Sequence, residues 1–421
     1  MSNLKEKILS LFRTKEIRNK ILFSLLILVV YRVLSAIPVS GIPAEALIEL
    51  FKGTQLGDVL STVSGGVLES ASLVAIGLTP YINASIIFQL LGTVIPKLEE
   101  LRKEGPEGRR KISMYTRIAT VPLAILQSFV IYSTLRGFGL IETLSTLELV
   151  GMSAALTGGS MIMMWFSELI SEQGVGGGSS YLIMLGILSG IPGTVRTNFV
   201  TMDTFQKIFF FVMALVLIVV TIIITQAERR VPIQYSRRVR AGGAMDSYIP
   251  IKLTQSGVMP VIFAMSLLSF PQLIAKFLVS KNYSEGVTYW SNKVIEWLGN
   301  TYIYESLVFI FIVAFALFYL TVVFNTDDLS ENLQKQGAFI QGVRPGNTTS
   351  DYLRKTALRL NVVGAIFLAL VSILPSFMIH FGLMTASVIS GTGLLIVIGV
   401  MLDMKRQVES MMVVRRYDKY L

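Results

Sequence analysis

The sequence predicts an all-α integral membrane protein with ten transmembrane helices. Three observations carry the prediction: hydrophobic residues make up 52% of the chain, charged residues make up only 15%, and apolar runs close to the length of a membrane crossing recur throughout. A soluble domain of 421 residues with that balance would hold large apolar patches in water, so a bilayer is the solvent.

The first expected span, 21–38, follows a Lys/Arg-rich stretch from Lys5 to Lys20 and ends in Ile37-Pro38 with no small-residue cleavage site. It reads as a retained helix rather than a removed signal peptide. The second, third and fourth spans are 72–95, 115–136 and 147–170. The fifth, 179–195, is short because Pro192 interrupts it after the glycine-rich stretch Gly174 to Gly178. Spans six to ten are 205–227, 256–278, 303–324, 358–377 and 384–404. Ahead of the second span, Gly57 to Ser72 (GDVLSTVSGGVLESAS) is moderately apolar but too short and too rich in Ser and Gly to cross alone. At membrane depth such a segment is re-entrant or shielded by protein.

Orientation follows from the cationic residues, because Lys and Arg collect in cytoplasmic loops. One face takes Lys5, Lys7, Arg13, Lys15, Arg18 and Lys20, then Lys97, Arg102, Lys103, Arg109, Arg110, Lys111 and Arg117. It also takes Arg229, Arg230, Arg237, Arg238, Arg240 and Lys252, then Lys335, Arg344, Arg354, Lys355 and Arg359, and finally Lys405, Arg406, Arg415, Arg416 and Lys419. The other face keeps Arg32, Lys52, Arg136, Arg196, Lys207, Lys276, Lys281 and Lys293. An even number of spans with both termini in the cytoplasm satisfies this pattern. Two loops on the cationic face, 228–255 and 325–355, far exceed ordinary helix connections and read as docking surfaces.

Composition also excludes chemistry. Cysteine is absent and His380 is the single histidine, which disfavours thiolate metal sites and His-based acid–base catalysis. No Gly-Lys dipeptide occurs, so the chain has no phosphate-binding loop, and energy from nucleotide hydrolysis has to come from a partner. No cofactor is expected. Ionisable groups deep in the spans are nearly absent, Glu168 being the clearest exception, with Arg32 near a boundary. An ion-coupled secondary transporter needs more of them. A membrane-embedded enzyme needs a convergent polar cluster that the sequence does not display.

Interrupted helices are the most informative local signal, since broken backbone at membrane depth persists only where it lines a cavity or is buried in protein. They cluster at Gly77 and Pro80, at Gly186, Gly190 and Pro192, at Gly257 and Pro260, and at Gly391, Gly393 and Gly399. Spans two and seven hold corresponding places in two five-span halves, which points to an internal repeat; ordinary helix packing explains such residues equally well.

Five motifs name a family. GLTPYINASIIFQLL runs from Gly77 to Leu91, EGPEGRRKISMYTR from Glu104 to Arg117, and NTDDLSENLQKQGAFIQGVRPG from Asn325 to Gly346. GVMPVIFA at Gly257 to Ala264 and GTGLLIV at Gly391 to Val397 complete them. Over essentially its whole length the sequence resembles the SecY family, the central subunits of the bacterial protein translocase. It departs at Gly174 to Gly178, where GVGGG replaces a GIGNG-like turn, and at Gln341, where proline is common.

The resemblance implies a protein-conducting channel in the bacterial cytoplasmic membrane. Its two halves, 1–195 and 196–404, form an inverted pseudo-repeat around an hourglass pore, with a cytoplasmic tail at 405–421. It places a pore ring at Leu78, Ile82, Ile86, Ile183, Ile187, Ile262 and Ile396; on spacing alone each Ile pair fits a lipid-facing or helix–helix stripe as well. It assigns a plug to 57–72, including Gly57, Asp58, Val59, Leu60, Ser64, Gly65, Gly66, Val67 and Leu68, where a plain loop is the alternative. The implied lateral gate lies between spans two and seven, with Thr79, Asn83, Gln89 and Gln127 as its polar groups or as ordinary bundle partners. Arg344 in the GVRPG turn, and Arg237, Arg238 and Arg240, become contacts for the motor ATPase SecA or for ribosomal RNA phosphates; topology alone also accounts for such charges. The implied partners are SecE, SecG, SecA, the ribosome, membrane lipids, and secretory or membrane-protein substrates bearing signal sequences.

Overall fold

A computed structural model describes residues 15–39, 72–137, 141, 143–235, 248–281, 284–382 and 390–418. The described chain is mainly helical, and each of the ten expected spans falls on a helix. In order these are α1 (Lys15–Leu34), α2 (Thr79–Val94), α3 (Pro96–Lys103), α4 (Pro106–Gly137), α5 (Thr146–Gln173), α6 (Gly178–Thr201) and α7 (Thr204–Gln226). Then follow strands β1 (Glu228–Tyr235) and β2 (Tyr248–Lys252), and helices α8 (Met259–Lys281), α9 (Glu285–Gly299), α10 (Thr301–Val323) and α11 (Thr326–Lys335). Strand β3 (Ala338–Ile340) and helices α12 (Asn347–His380) and α13 (Gly391–Asp418) complete the order.

Six of these helices are long and apolar enough to cross a membrane; a seventh crossing results if α2 and α3, bent by 104° at their junction, form one broken span. The remaining expected spans fall on α1 and α13, which carry more charge, and on α6, whose apolar part is Gly178–Pro192. Several boundaries differ from expectation: α4, α12 and α13 run Pro106–Gly137, Asn347–His380 and Gly391–Asp418 where 115–136, 358–377 and 384–404 were expected. The second span becomes helical only at Thr79, and α6 continues through Pro192 to Thr201.

Helix starts are written locally. Ser145 begins α5 with a capping box: its Oγ accepts from the Glu148 N–H while its own N–H donates to Glu148 Oε2 at 2.8 Å. Asn325 begins α11, its Oδ1 accepting from the N–H groups of Asp327 and Asp328. The flanks of α7, including Phe205, Ile208, Phe211 and Leu215, are exposed apolar surface of the kind a lipid solvent covers.

The chain divides into two compact units. One comprises Met1–Thr201, Met265–Tyr304 and Val388–Leu421, and one of its cores packs Val39, Ala75, Ile76, Ile131, Tyr132, Leu135, Met152 and Leu156. The other comprises Met202–Ala264 and Glu305–Ser387. Within it, the two long loops are not bare connections. They contribute a three-stranded antiparallel sheet in the order β2-β1-β3, with Val231 opposite Ile249 and Ile233 opposite Ile340. One face of this sheet joins Leu320, Leu333, Leu353 and Ala357 in a buried cluster with Val231, Ile251, Ala338 and Ile340.

Candidate functional site

The site begins at the broken backbone ahead of α2. Leu73 donates its N–H to the Ile37 carbonyl at 2.9 Å, and the chain then turns through bonds from the Ala75 N–H to the Ser72 carbonyl and from the Gly77 N–H to the Val74 carbonyl. Gly77 closes the turn at φ 60°, where a side chain is strained, and Pro80 sits in the first helical turn. Val74, Ala75, Ile76 and Leu78 are buried, so protein shields the irregular stretch. Helix α5 contributes to that shield through a close approach. Ser160 Oγ donates to the Gly77 carbonyl at 3.0 Å, and a Cβ at Gly159 would lie 1.8 Å from the Leu73 carbonyl oxygen.

The same construction recurs in the second unit. Leu253 donates to the Ala227 carbonyl, the Gly257 N–H donates to Thr254, Gly257 has φ 61°, and Pro260 follows in the first turn of α8. There, a Cβ at Gly364 of α12 would lie 2.3 Å from the Leu253 carbonyl oxygen. Leu73 and Leu253 each stand four residues before their turn glycine, and Gly159 and Gly364 belong to the fourth and ninth spans. Spans two and seven, and four and nine, are therefore built alike. The sequence displayed the first half of this likeness through Gly and Pro; the second half depends on which glycine meets a carbonyl and has no local signature.

The aliphatic residues expected to form a ring face protein. Leu78 caps α2 and Ile82 follows one turn later, 6% exposed, whereas Ile87 on the other side of the helix is 40% exposed. Ile86 on α2, Ile183 on α6 and Ile396 on α13 are buried, and Ile187 is half-buried. Ile187 also packs where α13 comes close: its Cγ2 is 3.5 Å from the position a Cβ would take on Gly393. These six positions share the first unit; Ile262, buried on α8, belongs to the second. The plug residues Gly57, Asp58, Val59, Leu60, Ser64, Gly65, Gly66, Val67 and Leu68 lie outside the described residues.

Of the expected gate groups, Thr79 and Asn83 are buried on α2, and Thr79 Oγ1 and Asn83 Oδ1 have no hydrogen-bond partner among the described residues. Gln89 donates to Ser85 Oγ within α2 at 3.3 Å, and Gln127 is half-buried on α4. Glu168, the acid singled out in the fourth span, forms an ion pair with Arg117 of α4. A second acid escaped the sequence reading: Glu305 is buried in the first turns of α10 and hydrogen-bonds with Ser376 of α12. A charge at the third position of an expected span reads as a boundary residue, so nothing local marked it.

In the glycine turn before α6, Val175 donates to Ser24 Oγ at 3.2 Å and the Gly176 N–H donates to Gln407 Oε1. A Cβ at Gly178 would meet the Ser167 carbonyl oxygen at 1.8 Å, while nothing lies within 4 Å of the position a Cβ would take on Gly177, so of these two glycines only Gly177 has room for a side chain.

The loop carrying Arg344 is held from both sides. Ser330 Oγ of α11 donates to the Gly346 carbonyl at 2.7 Å, and Thr349 Oγ1 of α12 donates to the Arg344 carbonyl at 2.9 Å. Gly346 at φ 96° turns the chain into α12, and the Arg344 side chain is exposed. Arg237, Arg238 and Arg240 lie outside the described residues.

Comparison with known proteins agrees with this arrangement. A family model described as SecY matches residues 72–405. The chain is 39% identical to protein translocase subunit SecY of Bacillus subtilis (strain 168) over 438 residues, which cover 97% of each chain. It is 36% identical to the subunit of the same name from Mycobacterium tuberculosis over 435 residues, 98% of this chain and 99% of that one. Among solved structures, one described as a protein-conducting channel superposes with a TM-score of 0.69 at 18% identity, covering 93% of this chain and 92% of that one. Sec61 from a canine ribosome–channel complex superposes with a TM-score of 0.66, also at 18% identity, over the same shares of both chains. Full-length likeness in sequence, the same fold, and twin broken helices at the matching motifs lead to one assignment: the chain belongs to the SecY family.

Proposed function

We propose that this chain is the channel through which unfolded secretory polypeptides cross the bacterial cytoplasmic membrane and from which transmembrane segments pass sideways into lipid. The observation that supports the reading is the burial of Leu78, Ile82, Ile86, Ile183 and Ile396 on helices that begin or end in broken backbone. Flexible aliphatic side chains around a narrow waist exclude water and ions by dewetting, yet separate around a passing chain of any sequence. Ile187 and Ile262 complete the ring in this reading, the 57–72 segment seals it as a plug, and the halves 1–195 and 196–404 surround it, followed by the tail at 405–421.

Spans two and seven form the lateral gate. Thr79, Asn83, Gln89 and Gln127 hold it loosely, since such intramembrane contacts are worth about 0.6 kcal/mol each. An apolar signal sequence leaves there because lipid is a better solvent for it than a wet channel. The chain performs no covalent chemistry; SecA or the translating ribosome drives transport. They dock on the face carrying Arg344, Arg237, Arg238 and Arg240, with both termini on that cytoplasmic side, and SecE and SecG complete the complex.

The test is site-specific crosslinking of a stalled secretory chain. Photoreactive groups at positions 82, 183, 187, 262 and 396 should all capture the stalled chain, while a group at the exposed position 87 captures lipid. Capture at position 87 with none at the ring positions removes the channel reading.

A further inference from the structure

Helix α9 lies in sequence between α8 and α10, both long and apolar enough to cross a membrane. Asn300 alone separates it from α10, with extended backbone (φ −77°, ψ 117°), so α9 ends where the span begins. A helix that ends one residue before a membrane-crossing helix begins has that end at the level of a membrane surface.

One side of α9 is docked. Leu298 and Ser291 are buried, and Gln272 Nε2 of α8 donates to the Leu298 carbonyl at 3.3 Å. Beside that face stand Trp290 and Trp297, seven residues apart and therefore in line, 63% and 56% exposed. Tyr289 and, just past the helix, Tyr302 are exposed as well. Lys293 falls between the two tryptophans along the helix, with its ammonium 5.7 Å from the ring centroids of both Tyr289 and Trp290. Glu285, Asn292 and Glu296 occupy the edge away from the tryptophans.

This 15-residue helix holds two of the three tryptophans in the protein. Indole rings carry an apolar body and one N–H donor, which suits them to the headgroup level of a bilayer and to neither pure water nor hydrocarbon. A lysine beside them matches the phosphate of an anionic lipid, and an acidic opposite edge belongs in water.

We propose that α9 is an interfacial anchor. Trp290 and Trp297 sit at the glycerol level of the bilayer, Lys293 reaches the phosphate of an anionic phospholipid, and the Glu285/Glu296 edge faces water. The occupant of the exposed stripe is lipid, because α9 docks on the membrane-crossing α8 through Gln272 and is joined by one residue to the membrane-crossing α10. Its assignment to the extracytoplasmic leaflet rests on the orientation proposed above.

In the full-length Trp165→Phe protein, assembled with tryptophan-free small subunits, the two remaining tryptophans both lie on this helix. In vesicles of mixed phosphatidylglycerol and phosphatidylcholine, bromines placed near the lipid carbonyls should quench its fluorescence about twofold more than bromines at the chain ends, with little quenching by aqueous iodide. Carbonyl-level quenching should fall in pure phosphatidylcholine, and Lys293→Gln should abolish that lipid dependence. Strong iodide quenching without lipid quenching overturns the anchor, and so does dominant quenching from the chain ends. Sidedness is read separately with Asn292→Cys in this cysteine-free chain. Labelling of intact cells by an impermeant maleimide supports the extracytoplasmic leaflet. Labelling only after lysis overturns the orientation, while lipid quenching, if present, still supports the anchor.

Discussion

Replacing Gly159 with alanine tests whether the broken backbone ahead of α2 is held by close contact with α5. The new Cβ would lie 1.8 Å from the Leu73 carbonyl oxygen, so helix and turn must separate by roughly 1 Å or more to reach an allowed contact. Overpacking of that kind costs about 1–3 kcal/mol. The Ser160–Gly77 hydrogen bond, 3.0 Å long and buried, is lost with the separation, for about 1 kcal/mol more. Alanine returns about 1 kcal/mol through helix propensity, leaving a net loss of about 1–3 kcal/mol. The adjacent Gly158 is the control: nothing lies within 4 Å of its would-be Cβ, so Gly158→Ala gains only the propensity. Heating the purified protein in detergent and counting the folded fraction by size-exclusion should rank Gly159→Ala a few degrees below wild type and Gly158→Ala at or above it. Because the turn carries Leu78, Gly159→Ala should also raise resting ion conductance in planar bilayers. Identical melting of the two alanine variants would refute the close-contact argument.

Other perturbations address the remaining parts. Ile82→Ser with Ile187→Ser should raise resting ion leak in planar bilayers, since a polar, narrower side chain wets the waist; unchanged conductance counts against the ring. Arg344→Glu should cut motor-driven transport while the protein still folds and inserts. Ser330→Ala, which frees the Gly346 carbonyl from α11, should cut it less; full transport by Arg344→Glu removes that side chain from the mechanism. For the α4–α5 ion pair, Arg117→Gln and Glu168→Gln should each destabilise the protein, and the double variant should lose less than the sum, by about 1 kcal/mol, in a thermal double-mutant cycle. Strict additivity would mean that the two charges ignore each other.

Spans were legible because a lipid solvent demands long apolar runs and cationic loop ends, and both are local properties of the chain. Elements at the membrane surface were not. α3 and α9 are short and mixed in polarity, and β1 (ERRVPIQY) becomes a strand only through partners at Tyr248–Lys252 and Ala338–Ile340, far away in sequence. The inward side of α2 was named by family resemblance, since Ile82 and Ile87 are chemically alike and differ only in what they face. Gly159 and Gly364 look like any small residues in a membrane helix until the carbonyls of Leu73 and Leu253 come against them.

The sheet between the spans also has a mechanical meaning. β1 starts two residues after α7 ends, it is bonded on one edge to β3 beside the Arg344 turn, and on the other to β2, which runs through 253–257 into α8. Five residue pairs join β1 to β2 and three join it to β3, so the Arg344 turn and the approach to α8 share one hydrogen-bonded sheet. The path from the Arg344 turn to Met259, the first residue of α8, thus runs through paired strands and hydrogen-bonded turns rather than through a bare connection.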